Sequence, residues 1–228
     1  HLDVAHRQLD HALVALLHLA HDAVRGRPCL RRPGADGRAR LRRARVAVGM
    51  LVHGTVQAAV ALAHKQRTES VEVAADGITA VDVVNSAGRV RVIGVEDATS
   101  IRVRARIDDG LRRSGHSVTT VAGTLRVHGS CPNYGSAWCQ VHYTIEVPST
   151  LPVYVRSDGS IEVTDVTGGV EASSNDSSVT LDRVDGDLVL ESDQGRITAG
   201  ALRSSHVTAN ADQGRISLVF LESPRTVV

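Results

Sequence analysis

The sequence predicts an all-β fold, a β-solenoid of 18–19-residue repeats preceded by a helical, Arg-rich N-terminal extension. Three observations carry this expectation. From Glu69 onward, apolar residues alternate with polar ones at the period of two that marks half-buried strands. An apolar template then recurs. Ile161, Val163, Val166, Val170 and Ala172 return as Val179, Leu181, Val184, Leu188 and Leu190, then as Ile197, Ala199, Leu202, Val207 and Ala209, and restart at Ile216, Leu218 and Leu221. Finally, aromatic residues are 2% of the 228, so the core must be aliphatic, which suits thin stacked layers better than a bulky centre.

A unit of this size cannot bury its own apolar row. Stacking equivalent residues of successive units into continuous aliphatic ladders removes that difficulty. The alternative is an antiparallel meander or sandwich, which also accommodates strands roughly nine residues apart. Recurrence position by position favours the solenoid.

Charge divides the chain. Residues 1–65 carry 11 Lys and Arg against 4 Asp and Glu, whereas the remainder carries 15 against 21. Residues 1–45 read as a His/Arg-rich extension. Its first half, Leu2 to Val24, has a helical apolar period, and its second half is a solvated Arg-rich run without one. His11, His18 and His21 share a helical side, but no Cys or carboxylate completes a metal-ligand spacing. Lys65 stands beside 25 arginines, a bias that a GC-rich bacterial genome produces. This segment is also consistent with an overextended gene model.

Residues 46–64 read as a signal-peptide-like or membrane-anchor segment. Val46 to Ala63 is uncharged, arginines precede it, and Ala61-Leu62-Ala63 has the small-x-small form of a cleavage site. The basic flank keeps the front inside and places everything after residue 64 outside. The expected location is therefore extracytoplasmic, secreted or anchored through 46–63.

Residues 69–228 form the expected β-repeat domain. Val71/Val73, Val81/Val83, Val90/Val92, Ile101/Val103, Leu125/Val127, Val141/Tyr143/Ile145/Val147 and Val153/Val155 are its inward rows before the repeats begin. Arg89, Arg91, Arg102, Arg104 and Arg106 alternate with them and read as the wet face of strands rather than an anion site. Nucleic acid is not expected as a partner, because no aromatics interleave with the arginines. Turn segments such as Asn175-Asp176-Ser177-Ser178 and Asp193-Gln194-Gly195-Arg196 separate the repeat strands. Their aspartates fall out of register with one another and lack a calcium-repeat spacing, so no metal or other cofactor is expected.

Cys131 and Cys139 bracket a seven-residue, turn-like loop containing Tyr134 and Trp138. A disulfide closing that loop outside the cell is expected; His128 and His142 lie near enough in sequence for zinc to be weighed against it.

The run from Cys131-Pro132 to Cys139, the segment Tyr143-Thr144-Ile145-Glu146-Val147-Pro148, and the SDGSIEVTDVTGGVEASS and ESDQGRITAG repeats together resemble the bacterial putative-adhesin family of unknown function with β-strand repeats. The resemblance covers about residues 69–228. It implies a β-repeat domain on the outer side of the membrane behind a signal peptide or anchor, and it implies no catalytic residues.

No GxSxG, HExxH, P-loop or GxGxxG-helix motif is present. Ser205, His206 and Asp212 can be drawn as a triad, but turn and strand roles explain them. The expected function is non-enzymatic binding of a cell-envelope polymer or surface protein, with Tyr134 and Trp138 as contact residues. A loop lid that blocks edge-to-edge strand pairing is the structural alternative for these two. A solenoid enzyme acting on envelope polysaccharide, with acids such as Asp185 and Asp187 on one face, is the runner-up. An intracellular scaffold is the third reading.

Overall fold

The computed structural model describes residues 65–110, 112–132 and 138–228. The expected N-terminal helix, the apolar segment 46–63 and Tyr134 lie outside the described residues.

Alternation of small β-branched residues with polar ones produces strands throughout. They are β1 (Lys65–Ala74), β2 (Ala80–Asn85), β3 (Val90–Val95), β4 (Ser100–Asp109), β5 (Gly115–Val121), β6 (Thr124–Ser130), β7 (Gln140–Pro148) and β8 (Val153–Ser157). The repeats supply β9 (Ile161–Thr164), β10 (Val170–Ser174), β11 (Val179–Asp182), β12 (Leu188–Ser192), β13 (Ile197–Leu202), β14 (His206–Ala211), β15 (Ile216–Phe220) and β16 (Thr226–Val227). Two eight-stranded sheets result. One runs β1-β4-β7-β3-β9-β11-β13-β15, the other β16-β14-β12-β10-β8-β2-β6-β5.

From β8 onward, consecutive strands alternate between the sheets, and each pairs in parallel with the strand one repeat later. The antiparallel meander is therefore not how the repeats pair. The apolar template coincides with the register: Ile161 faces Val179, then Ile197, then Ile216, and in the other sheet Val170 faces Leu188, then Val207. These side chains fill the space between the sheets, nearly all of them sealed from solvent until the last repeat.

The third template position has a separate role. Val166, Val184 and Leu202 follow or end the first-sheet strands and are buried at the corner. Each comes directly after a residue with positive φ, namely Asp165, Arg183 and Ala201 at 60°, 52° and 52°. One left-handed residue bends the chain toward the other sheet and lets the next side chain point inward.

The opposite corner is held by small polar residues. Asn85, Ser157, Ser174 and Ser192 occupy one row at the strand ends and are all buried. Ser174 Oγ accepts from the Ser177 N–H and donates to the Gly159 carbonyl; Ser192 Oγ accepts from the Gly195 N–H and donates to the Ser177 carbonyl. Buried turn amides and carbonyls are thereby satisfied between layers, as they must be when water is excluded.

Chain order and spatial order part company at the N-terminal end. The β2–β3 layer lies between β6–β7 and β8–β9, pairing in parallel with both. The edges there are antiparallel: β4 and then β1 beyond β7, and β5 beyond β6. The β5–β6 hairpin turns on Ala122 and Gly123, both with positive φ, as a two-residue primed turn requires.

Candidate functional site

The strand ends of β6 and β7 carry the expected loop. Cys131 and Cys139 are joined by a disulfide with Cα atoms 5.8 Å apart, so neither sulfur is available as a zinc ligand. The Cys131 N–H donates to Ser86 Oγ in the β2–β3 turn, and Cys139 Sγ lies 3.1 Å from Ser114 Oγ. Cys139 is buried, whereas Trp138 is 58% exposed. Trp138 therefore meets solvent beside a covalent anchor; Tyr134, expected to accompany it, lies outside the described residues.

The bridge closes a loop of few residues and takes no part in the aliphatic ladders. Reduction should lower stability by at most about 2.5 kcal/mol, the entropy of closing so short a loop, and leave the β signal in place. Circular dichroism and denaturant titration with and without reductant check this; collapse of the β signal would contradict it.

Ser114, in contact with Cys139, belongs to a polar cluster that links strands of the two sheets. Arg67 bonds Asp109, Glu69 and the Ser114 carbonyl, and the Ser114 N–H donates to Asp109 Oδ1 at 2.7 Å. Burial pushes the Asp109 carboxyl up, but the Ser114 hydrogen bonds and the Arg67 guanidinium outweigh it and hold the group below the usual range. His116 Nδ1 lies 2.8 Å from Tyr143 Oη. Burial, aided by Arg67, pushes the His116 imidazole down, and burial pushes the Tyr143 phenol up, so both are neutral at pH 7. The cluster pins β1 and β4 to β5 and β7. Within it the His116 side chain is 5% exposed.

The outer face of the first sheet collects the arginines. Arg104 and Arg106 on β4, Thr144 and His142 on β7, and Arg89 and Arg91 at the start of β3 line one shallow depression. The Arg89 N–H donates to His142 Nδ1 at 3.1 Å, while Nε2 lies 3.0 Å from Gln140 Oε1. Nδ1 thus carries no proton. Consistently, burial and the nearby Arg106 and Arg89 push the imidazole down, against the smaller opposing pull of Asp108. Gln140, His142, Thr144 and Glu146 form the outward row of β7, and Trp138 precedes that row by two residues.

Ser205, His206 and Asp212 do not assemble as a triad. His206 meets Asp187, not Asp212, and Ser205 Oγ and Asp187 Oδ1 both approach the same nitrogen, Nδ1, at 3.0 and 3.2 Å. A nucleophile and an orienting acid must address opposite nitrogens of the ring. Asp185 accepts from the Gly186 N–H as a turn former. Among the described residues, no group of three or more His, Cys, Asp or Glu is placed to hold a metal ion.

No family model matches the chain, and no curated protein matches its sequence. A crystal structure of a protein from Clostridium sporogenes, described as a "putative cell adhesion protein", aligns with a TM-score of 0.42 and 11% identity over 68% of this chain and 100% of that one. A likeness this low decides neither fold nor function.

Proposed function

We propose that the chain is an exported or membrane-tethered, non-enzymatic β-repeat module, wound as a β-solenoid, that binds a cell-envelope polymer or surface protein in an adhesin-like way. The observation that carries the reading is the Cys131–Cys139 disulfide beneath an exposed Trp138. Disulfides persist in oxidising compartments, and a tethered aromatic offers contact area at little entropic cost. Parallel, in-register pairing at the repeat spacing supports the solenoid. Each added layer extends an exposed polar surface without changing the core.

The test is co-sedimentation of the full chain with isolated cell-wall glycan, followed by an assay for new reducing ends. Retention without cleavage, weakened about tenfold by Trp138→Ala, is expected for an aromatic anchor that packs centrally in the complex. New reducing ends would replace the binding reading with an envelope-polysaccharide enzyme, and absence of retention would remove glycan as the ligand and leave a surface protein as the partner.

A further inference from the structure

We infer that the arginine face spanning β4, β7 and β3 is a binding surface for a phosphodiester-bearing envelope polymer. This deepens the reading above by naming the surface and the chemistry of its ligand.

Strand alternation puts Arg89, Arg91, Arg102, Arg104 and Arg106 on the outside, but pairing does more than expose them. In the register, Arg104 and Arg91 lie opposite Thr144 from its two sides, and Arg106 lies opposite His142. Neighbouring strands are about 4.8 Å apart and alternate residues about 7 Å apart, so the four arginines Arg89, Arg91, Arg104 and Arg106 frame a rectangle of roughly 7 by 10 Å. The backbone spacing thus sets two arginine pairs along β7, one flanking Thr144 and one flanking His142, a repeat that suits successive charged groups of a chain.

The acids around the rectangle leave part of this charge unspent. Arg102 is held by Glu146 at 2.7 Å and Glu72 at 3.6 Å, Arg91 approaches Glu162 at 3.4 Å, and Arg106 approaches Asp108 at 3.6 Å. Arg89 and Arg104 make no ion pair among the described residues. They stand on opposite sides of β7, with the Thr144 hydroxyl and the His142 ring between them. Arginines on both sides of a strand can each take one non-bridging oxygen of a phosphodiester, an anion whose geometry the guanidinium fork matches.

Charge also confines such a polymer to this end. Residues 149–228 carry 6 arginines against 12 carboxylates, so the later layers repel it. Within the rectangle a single-stranded nucleic acid finds no exposed ring on which bases stack, because Tyr143 is buried, and the exposed Trp138 lies two residues before the β7 row.

The experiment is titration of the full chain with poly(glycerol phosphate) at several salt concentrations, with single-stranded oligo(dT) and neutral dextran as comparators. The parent should bind poly(glycerol phosphate) in a salt-dependent manner and more tightly than oligo(dT). Arg89→Ser/Arg104→Ser should lose at least tenfold in affinity and flatten the salt slope by roughly 1.4, the value for two phosphate contacts, with an unchanged thermal midpoint. Arg102→Ser should change affinity less than twofold, and Glu162→Gln, by releasing Arg91, should raise it two- to threefold. Undiminished binding by the double variant, or oligo(dT) binding as tight as the polymer, would overturn the inference. The assay reads purified protein, so a cytosolic location would remove the export reading and leave this result to be judged by itself.

Discussion

Gly195→Val should lower the thermal midpoint by about 6–12 °C, corresponding to a loss of about 3 kcal/mol. A Cβ built on Gly195 would lie 1.9 Å from the Ser177 carbonyl oxygen of the preceding layer, and one on Gly214 would lie 1.7 Å from the Gly195 carbonyl oxygen. The obstacle in both cases is backbone, which cannot rotate away as a side-chain tip can. Relief would require the layers to separate at that corner, where Ser192 already ties the Gly195 N–H to the Ser177 carbonyl. Gly200 provides the contrast: its added Cβ would meet nothing closer than Asp182 Oδ1 at 3.4 Å, so Gly200→Ala should stay within about 0.5 kcal/mol of the parent. Equal melts for Gly195→Val and the parent would show that the turns are not closely stacked.

Asn85→Asp should be at least as damaging, and its effect should depend on pH in an informative direction. The buried Asn85 Nδ2 donates to the Gly88 carbonyl at 3.3 Å and the Val141 carbonyl at 3.0 Å, while Oδ1 has no partner in the protein. A carboxylate in its place would face two carbonyl oxygens without a donor, costing on the order of 3 kcal/mol at pH 7. Its pKa in the folded protein would rise above the ordinary value near 3.9. A raised acid pKa means that stability is retained below the unfolded value and lost as pH rises through the folded one. The variant should therefore recover part of its deficit near pH 4, where the protonated acid again donates one hydrogen bond. Asn85→Ser copies the residue found at Ser157, Ser174 and Ser192 and should cost only about 1 kcal/mol. Urea denaturation at pH 4 and pH 7 checks both; a deficit that does not vary with pH would mean that the side chain at 85 is solvated.

The repeats were legible because their signal is local. A row such as Ile161, Val179, Ile197 and Ile216 announces itself through spacing alone, and the parallel ladder follows that spacing. The order of the N-terminal layers was not legible. Alternation says which face Val81 and Val83 occupy, but not that their neighbours are Leu125 and Val127 on one side and Val153 and Val155 on the other. The grouping of the arginines across β4, β7 and β3 was hidden for the same reason. Arg91 and Arg104 read correctly as solvated strand residues, yet the strand that lies between them, β7, comes about forty residues later in the chain. The serine corner was hidden differently: Ser157, Ser174 and Ser192 look like ordinary turn formers until burial shows that they bond neighbouring layers. The left-handed Arg183 and Ala201 carry no compositional mark, since neither residue type favours that conformation.

The proposed envelope role rests on the domain standing outside the cytoplasm, and the oxidation state of Cys131 and Cys139 in the native protein reports this most directly. Intact cells would be treated with an alkylating reagent before lysis, fractionated, and the chain recovered from each fraction for mass spectrometry of its mature N-terminus and its two β-domain cysteines. An extracytoplasmic chain with Cys131 bonded to Cys139 is the expected result. A cytosolic chain with both cysteines alkylated, retaining residues upstream of Arg45, would contradict it.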